Sequence, residues 1–416
     1  KNTTIYNEAK IVVAYQQYQE SRIDRRRNNN NQRTQTENVD ASSINLDFTK
    51  SLNNKEEIFY GAEWVGNMVG STATNLNITN GNQTKVATRY PDGATWNSFA
   101  VYSSYKKIIN DQFNFSGGLR YNTGQTKANF DTTFFKFPFT RSNLQNSSVT
   151  GNIGVVYKTN KGLQINALIS TGFRMPNIDD IGKVFESAPG NVVVPNTNLR
   201  SEYAWNYEIG LQYNHPEKLN YYISIFTTSL RHALTNRPFT FNGQDSIMYD
   251  GTKSRVNAIQ NVAQAKVWGI QLGWELFFNK HTKWQSKLNW IEGHETDDIK
   301  NEQVPLRHAP PLFGSSAIQW QKKQFTIEVN TQFNGQINSA NLAPSEKAKT
   351  FIYAKDENGN PYAPSWYTIN IKATYTLGKF QCNLGWENIT NQRYRPYSSG
   401  IVAAGSNIIT SVRYSF

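Results

Sequence analysis

The segment that most constrains this chain is its last, Asn407-Ile408-Ile409-Thr410-Ser411-Val412-Arg413-Tyr414-Ser415-Phe416. Tyr414, Val412, Thr410 and Ile408 share one parity, Ser415, Arg413, Ser411 and Ile409 the other, and the segment ends on an aromatic residue. Successive side chains of a strand point to opposite faces. A strand with a polar or charged residue at nearly every second position does not fit an apolar core, but it suits lipid on one side and a wet lumen on the other.

The same period recurs upstream. Tyr367, Ile369, Ile371, Ala373 and Tyr375 oppose Thr368, Asn370, Lys372 and Thr374. Trp205, Tyr207, Ile209 and Leu211 oppose Asn206, Glu208, Gly210 and Gln212, while Ile270, Leu272, Trp274, Leu276 and Phe278 oppose Gln271, Gly273 and Glu275. Burying Glu208, Glu275 or Lys372 in a dry sandwich costs several kcal/mol each unless paired, and a water-filled lumen removes that cost. Leu168 and Phe277 fall on the polar parity and are expected to be lumen contacts or local bulges.

Taken in order, the chain reads as about sixteen extended segments. They are residues 9–25, 33–52, 57–76, 98–109, 113–130, 147–158, 163–174, 201–213, 219–233, 258–278, 283–293, 304–321, 325–337, 367–377, 380–394 and 407–416. Short turns such as Asn53-Asn54-Lys55 and Asn214-His215-Pro216-Glu217 alternate with longer polar loops, one of them passing through Asp250-Gly251, the longest being Asn338 to Pro364. That asymmetry is the one outer-membrane barrels show, with short periplasmic turns and long external loops. An even strand count puts both ends on the periplasmic side.

Composition agrees. Only 38% of residues are hydrophobic, yet aromatics reach 13%, with 22 Tyr and 10 Trp; half-lipid strands with aromatic girdles give that combination, as would a soluble all-β protein rich in surface aromatics. No run approaches the roughly 18 apolar residues of a membrane helix, so a membrane-spanning reading requires a closed barrel. The opening Lys1-Asn2-Thr3-Thr4 carries no signal pattern, and the chain is expected to be a mature or truncated piece. Cys382 sits on the apolar parity and reads as a small lipid-facing hydrophobe. The net charge is +12, densest at Arg25-Arg26-Arg27. It fits an electropositive mouth for anionic ligand or glycolipid, or a solvated loop; nucleic acid is a poor third.

At this point the residues resemble a family, the TonB-dependent outer-membrane receptors of Gram-negative bacteria, in the carboxyl-terminal part of their barrel. Phe173-Arg174-Met175-Pro176 is similar to the family's FRAP box, with Met in place of Ala. Pro195-Asn196-Thr197-Asn198-Leu199-Arg200-Ser201-Glu202 is similar to its NPNL-x-x-E box, with Thr197 in place of Pro, so Asn196, Asn198, Leu199 and Glu202 occupy box positions. Glu387 to Tyr394, then Ala404-Gly405 and the strand to Phe416, resemble its closing signature, Phe416 being the membrane-assembly signal; the loop Asp179 to Val194 resembles Bacteroidetes versions.

The resemblance implies an all-β transmembrane antiparallel β-barrel. Residues 1–416 would form one carboxyl-terminal barrel portion, about 16 strands of a probable 22, with the plug domain, the TonB box and about six first strands absent from this chain. It further implies an active-transport receptor that captures a scarce nutrient at external loops, a ferric siderophore or other iron complex, with heme or cobalamin as alternatives. Import would be driven by the TonB–ExbB–ExbD complex acting on the plug. Outer-membrane lipid, lipopolysaccharide and a surface lipoprotein are the further partners implied, and no cofactor.

Candidate ligand residues are Arg174, His294, Arg307 and His308, near the external ends of strands. The two arginines could meet an anionic chelate or pair with lumen carboxylates such as Glu202 and Glu208. Heme-binding members of the family place an axial histidine between the two boxes; here none lies between Phe173 and Leu199, leaving His294 and His308 as substitutes. His215 and His281 lie in short turns, and His232 at an outer strand end. The aromatic loops Phe134 to Phe139 and Tyr353 with Tyr362 could contact ligand or form an upper girdle. There is no G-x-S-x-G and no metal-spaced His/Cys cluster, so the chain reads as no enzyme. The rivals of other classes are a passive porin and an outer-membrane lipase-like enzyme.

Overall fold

The computed structural model describes residues 3–416 except 183, 189, 216, 250, 298–301, 348 and 350. Pro216 of the expected turn and Asp250 of the expected loop thus lie outside the described residues. Sixteen long strands make up the described wall: β1 Glu8–Asp24, β2 Asn31–Asn53, β3 Glu56–Asn77, β4 Ala94–Ile108, β5 Phe113–Asn129, β6 Arg141–Lys158, β7 Leu163–Arg174 and β8 Glu202–His215, followed by β9 Leu219–Pro238, β10 Thr252–Asn279, β11 Thr282–Asp297, β12 Phe313–Lys322, β13 Phe325–Asn334, β14 Trp366–Leu377, β15 Phe380–Glu387 and β16 Asn407–Tyr414. Every one pairs antiparallel with its neighbours in the chain, as in β1 with β2, β7 with β8 and β15 with β16. No helix of the described residues is long and apolar enough to cross a membrane, and a β-barrel wall crosses with strands.

The links alternate as expected. Turns such as Asn53 to Glu56 and Leu377 to Phe380 are tight, and several need left-handed backbone, supplied by Gly162 (φ 83°), Gly378 (φ 57°) and Lys323 (φ 54°). At the other end the loops run from residues 25–30 up to residues 335–365. About 9 to 11 residues suffice to cross a bilayer, so β10, at 28 residues, extends well beyond it on the loop side.

Register fixes the two faces. Ile371 lies opposite Val329 and Trp386, and Ile209 opposite Ala167 and Ile225; this parity is outward and exposed, with Ile209 at 63% and Trp386 at 47%. Cys382 lies opposite Tyr375 and Val412 on that face and is exposed. The inward parity carries the charges. Glu208 accepts from Ser224 Oγ at 2.8 Å, Glu275 pairs with Lys283 at 2.8 Å, Glu63 pairs with Arg120 at 2.6 Å, and Glu328 lies opposite Lys372. Leu168 is a lumen contact, laid over Gly154, and Phe277 borders a bulge.

Outward aromatics meet across strands beside the tight turns: Phe113 with Tyr157 at 4.6 Å, Tyr213 with Tyr221 at 5.5 Å, Trp274 with Trp284 at 5.2 Å and Phe380 with Tyr414 at 4.8 Å. This belt marks one membrane interface, where amphipathic rings sit at headgroup depth.

Two expected boundaries change. Residues 304–321 are not one strand: Glu302–Pro305 stops, residues 306–312 fold inward, and β12 begins at Phe313. Pro310 and Pro311 lack the N–H a ladder needs, and His308 is left-handed at φ 64°. The segment expected to run to Tyr394 ends at Glu387, because Asn388 (φ 48°) and Asn391 (φ 49°) turn the chain out of the ladder. Strands β4 and β6 begin earlier than expected because they pair with the extended tops of β3 and β5, and β10 because residues 252–255 form a hairpin with Ser246–Tyr249.

Candidate functional site

The loop end carries two packed groups. In the first, β7 ends at Arg174 and the chain turns sharply: Met175 and Pro176 are buried. Position 124 is glycine for a spatial reason, since a Cβ there would come within 2.5 Å of Met175 Cε. Thr126 Oγ1 donates to the Pro176 carbonyl at 3.1 Å. Asn177 and Asp180 then cap each other, each accepting the other's backbone N–H at 3.0 Å, and start the short helix α1 Ile178–Gly182.

Arg174 is fully engaged here. Its Nη2 donates to both Asp180 oxygens at 2.8 Å and its Nη1 to Glu202 at 3.3 Å. Glu202, directly opposite Arg174 in register, also accepts from the Leu234 N–H. The second box continues the stitching. Asn196 Oδ1 accepts from the Asn198 N–H at 3.0 Å and Asn196 Nδ2 donates to the Ile259 carbonyl at 2.8 Å. Leu199 is buried with Val69, Ala94, Phe130, Ile178 and Ile181. His232, left-handed at φ 58°, is held through its carbonyl by Asn261 Nδ2 at 2.6 Å. Phe173, on the outward parity, has its ring 6.4 Å from Tyr203.

The aromatic loop is mostly internal packing. Phe137 touches Phe130, Phe139 and Phe241 at 5.3–5.9 Å, whereas Phe134 is 42% exposed. Tyr90 donates to Asp179 at 2.6 Å, and burial followed by that bond pushes its hydroxyl up to about 12.

The second group joins residues 306–312, 335–365 and 388–406. Leu306 and Ala309 pack over Gly293, which brings Arg307 and His308 inward. Glu346 is the hub: it is 1% exposed and accepts from Tyr397 Oη at 2.8 Å and Ser398 Oγ at 3.0 Å. Arg307, His308 and Lys349 gather in its field. Burial, then the Arg307 charge, lowers both the His308 imidazole and the Lys349 amine from their ordinary values. Arg307 Nε is buried with no hydrogen-bond partner among the described residues. Burial raises the Tyr353 hydroxyl to about 12, and burial together with Glu346 raises that of Tyr397.

Beside the hub a cavity of about 360 Å³ opens between the two longest of these loops, lined by Tyr353, Trp366, Arg393, Tyr394, Arg395 and Tyr397 among others. Trp366 and Tyr394 stack at 4.2 Å. Arg395 Nη1 donates to the Phe351 and Ile352 carbonyls at 3.1 Å each.

Of the four expected ligand residues, the fold brings Arg307 and His308 together. Arg174 lies in the first group, held by two carboxylates, and His294 lies opposite Lys266 and Pro305 on the outward parity of Leu288 and Trp290. The hub residues Glu346, Tyr397 and Ser398 were not legible as a site; the one signal available was the alternation Arg393-Tyr394-Arg395-Pro396-Tyr397 after an Asn-rich turn. No group of metal-holding side chains occurs among the described residues.

Residues 2–389 match the family described as "TonB dependent receptor-like, beta-barrel". Hemoglobin-haptoglobin utilization protein B of Neisseria meningitidis is 24% identical over 315 residues, 70% of this chain and 38% of that protein. The solved structure of the copper transporter OprC superposes with a TM-score of 0.80 at 13% identity, covering 100% of this chain and 65% of that one. The FrpB iron transporter from Neisseria meningitidis gives 0.65 at 14% identity over 93% of this chain and 59% of that one. At these identities the solved structures show a shared fold, and the chain spans less than two thirds of each of these relatives.

Proposed function

Because this chain belongs to the TonB-dependent receptor β-barrel family, whose barrels sit in the outer membrane of Gram-negative bacteria, we propose that residues 1–416 form the greater part of the wall of a nutrient importer. Further strands, six in a 22-stranded barrel, complete the wall between β16 and β1, since an unpaired strand edge in lipid leaves backbone groups unsatisfied. A plug coupled to TonB–ExbB–ExbD gates the lumen. The outer face contacts lipid and lipopolysaccharide, and a surface lipoprotein joins the loop end.

The cargo is an anionic iron complex. The observation that carries this reading is the second loop group, where Arg307, His308 and Lys349 gather around the buried carboxylate of Glu346 and Arg393 and Arg395 line the cavity beside it, above a polar lumen wall. Excess fixed positive charge at a mouth concentrates anions and steers them inward. The iron and copper transporters among its structural neighbours support a metal complex as cargo. Arg174 serves by holding the first loop group in place.

One observation favours a second reading, heme. One matched curated relative is a hemoglobin-haptoglobin utilization protein, and the lowered proton affinity of His308 leaves its imidazole free to ligate near neutral pH.

The test uses the whole receptor in cells that depend on it for iron. Uptake of a labelled ferric chelate should disappear when TonB is deleted; unchanged uptake refutes the importer. Titrating heme into purified receptor separates the two cargos: a Soret shift abolished by His308→Ala selects heme, and no shift selects the chelate.

A further inference from the structure

The cavity between residues 335–365 and 388–406 has a chemistry of its own. Among the described residues its lining holds two arginines and no carboxylate. Two of its donors have no hydrogen-bond partner of normal geometry among the described residues: the buried Trp366 indole Nε1, and the Tyr353 hydroxyl, which lies beside Ser398 and Glu346. Tyr353 is only 8% exposed. Buried donors in folded proteins are almost always satisfied, by protein or by ordered water, and an acceptor seated in this cavity would satisfy both of these. Arg393 is exposed and makes no ion pair or hydrogen bond among the described residues, while Arg395 is spent on the Phe351 and Ile352 carbonyls. Trp366, stacked on Tyr394, supplies an aromatic wall.

Donors without acceptors, one free guanidinium and a flat aromatic wall select an occupant that is planar, acceptor-rich and negatively charged. An aliphatic anion would leave the ring wall unused, and a neutral arene would leave Arg393 and the two buried donors unpaired. At about 360 Å³ the cavity suits one or two fused rings. We propose that this cavity is a binding site for an aromatic carboxylate or phenolate group, with Arg393 meeting the anionic oxygens, Trp366 Nε1 and Tyr353 Oη donating to them, and the Trp366–Tyr394 stack covering the ring. The inference deepens the receptor reading, on which it rests for its biological use: such a group would be one arm of the imported chelate.

Calorimetry on the intact receptor in detergent, with 2-naphthoate as the probe, tests it. 2-Naphthoate should bind at least tenfold more tightly than 2-naphthamide, which lacks the charge, and than decahydronaphthalene-2-carboxylate, which lacks the π face. Arg393→Gln should weaken 2-naphthoate at least tenfold and Trp366→Phe several-fold. Tyr353→Phe should weaken it as well while leaving thermal stability unchanged or raised, because it deletes a buried hydroxyl that makes no hydrogen bond of normal geometry among the described residues; a packing role alone would not lower affinity. Equal binding of acid and amide, or wild-type affinity in Arg393→Gln and Trp366→Phe, overturns the site. TonB-dependent chelate uptake without naphthoate binding sinks the site and leaves the importer standing; naphthoate binding with TonB-independent uptake supports the site and removes the importer.

Discussion

Replacing Arg174 with glutamine tests what the first box does in this wall. Arg174 makes two bonds to Asp180 and one to Glu202, and the carboxylates are 9% and 15% exposed against 46% for the arginine. Charge-assisted hydrogen bonds to a shielded carboxylate contribute about 1.5–3 kcal/mol, and the arginine's exposure reduces the ionic part. Asp180 retains the Asn177 N–H and Glu202 the Leu234 N–H, so about 2 kcal/mol is a reasonable loss, falling on the loop and not on the barrel. That corresponds to about a thirtyfold increase in loop opening. Amide hydrogen exchange over residues 177–201 should accelerate by that order in Arg174→Gln, with exchange in β3 and β4 unchanged and ligand affinity shifted little. If loop protection stays at the wild-type level while affinity falls tenfold or more, Arg174 is a ligand contact and its assignment as a loop clamp is wrong.

Gly273→Ala places a methyl 2.2 Å from Tyr222 Cε1 and should destabilise by about 1–3 kcal/mol, lowering the unfolding midpoint in urea; adding Tyr222→Ala should recover part of that loss, and additive losses would show that the clash is not the cause. Glu346→Gln keeps the shape but removes the charge that balances Arg307 and Lys349, so residues 335–365 should become more susceptible to limited proteolysis, by about 1–3 kcal/mol of local stability. The folded-state value of His308 is lowered, so the folded loops bind fewer protons than the unfolded chain between that value and about 6.5. Local stability therefore rises with pH through that window and is lost on acidification. Protection factors of amides in residues 335–365, corrected for the intrinsic pH dependence of exchange, should fall from pH 7.5 to 5.5, and His308→Gln should flatten the trend.

The period-two alternation alone settled the architecture. Trp205, Tyr207 and Ile209 against Asn206 and Glu208 could face only lipid and water, and a one-residue slip would turn Glu208 into the bilayer, so strand count, faces and the long-short order of links were all readable. Boundaries failed where a local signal cut across the alternation: the Pro310-Pro311 pair and the left-handed Asn388 ended ladders that the apolar pattern would have continued. The family boxes were readable as words, but only their contacts, Arg174 with Asp180 and Glu202 and Asn196 with the Ile259 carbonyl, show them stitching loop to wall.

The candidate site was the least legible part. Arg307, Glu346, Tyr353 and Tyr397 lie on three separate loops that no local periodicity relates, and packing of those loops over Gly293 and around Leu342 brings them together. The sequence by itself determined a membrane-spanning antiparallel wall, because side-chain alternation is a property of each strand taken alone. Which loop residues share a cavity, which carboxylate is buried and which donors lack a partner were decided only by tertiary structure, because those depend on contacts between segments far apart in the chain.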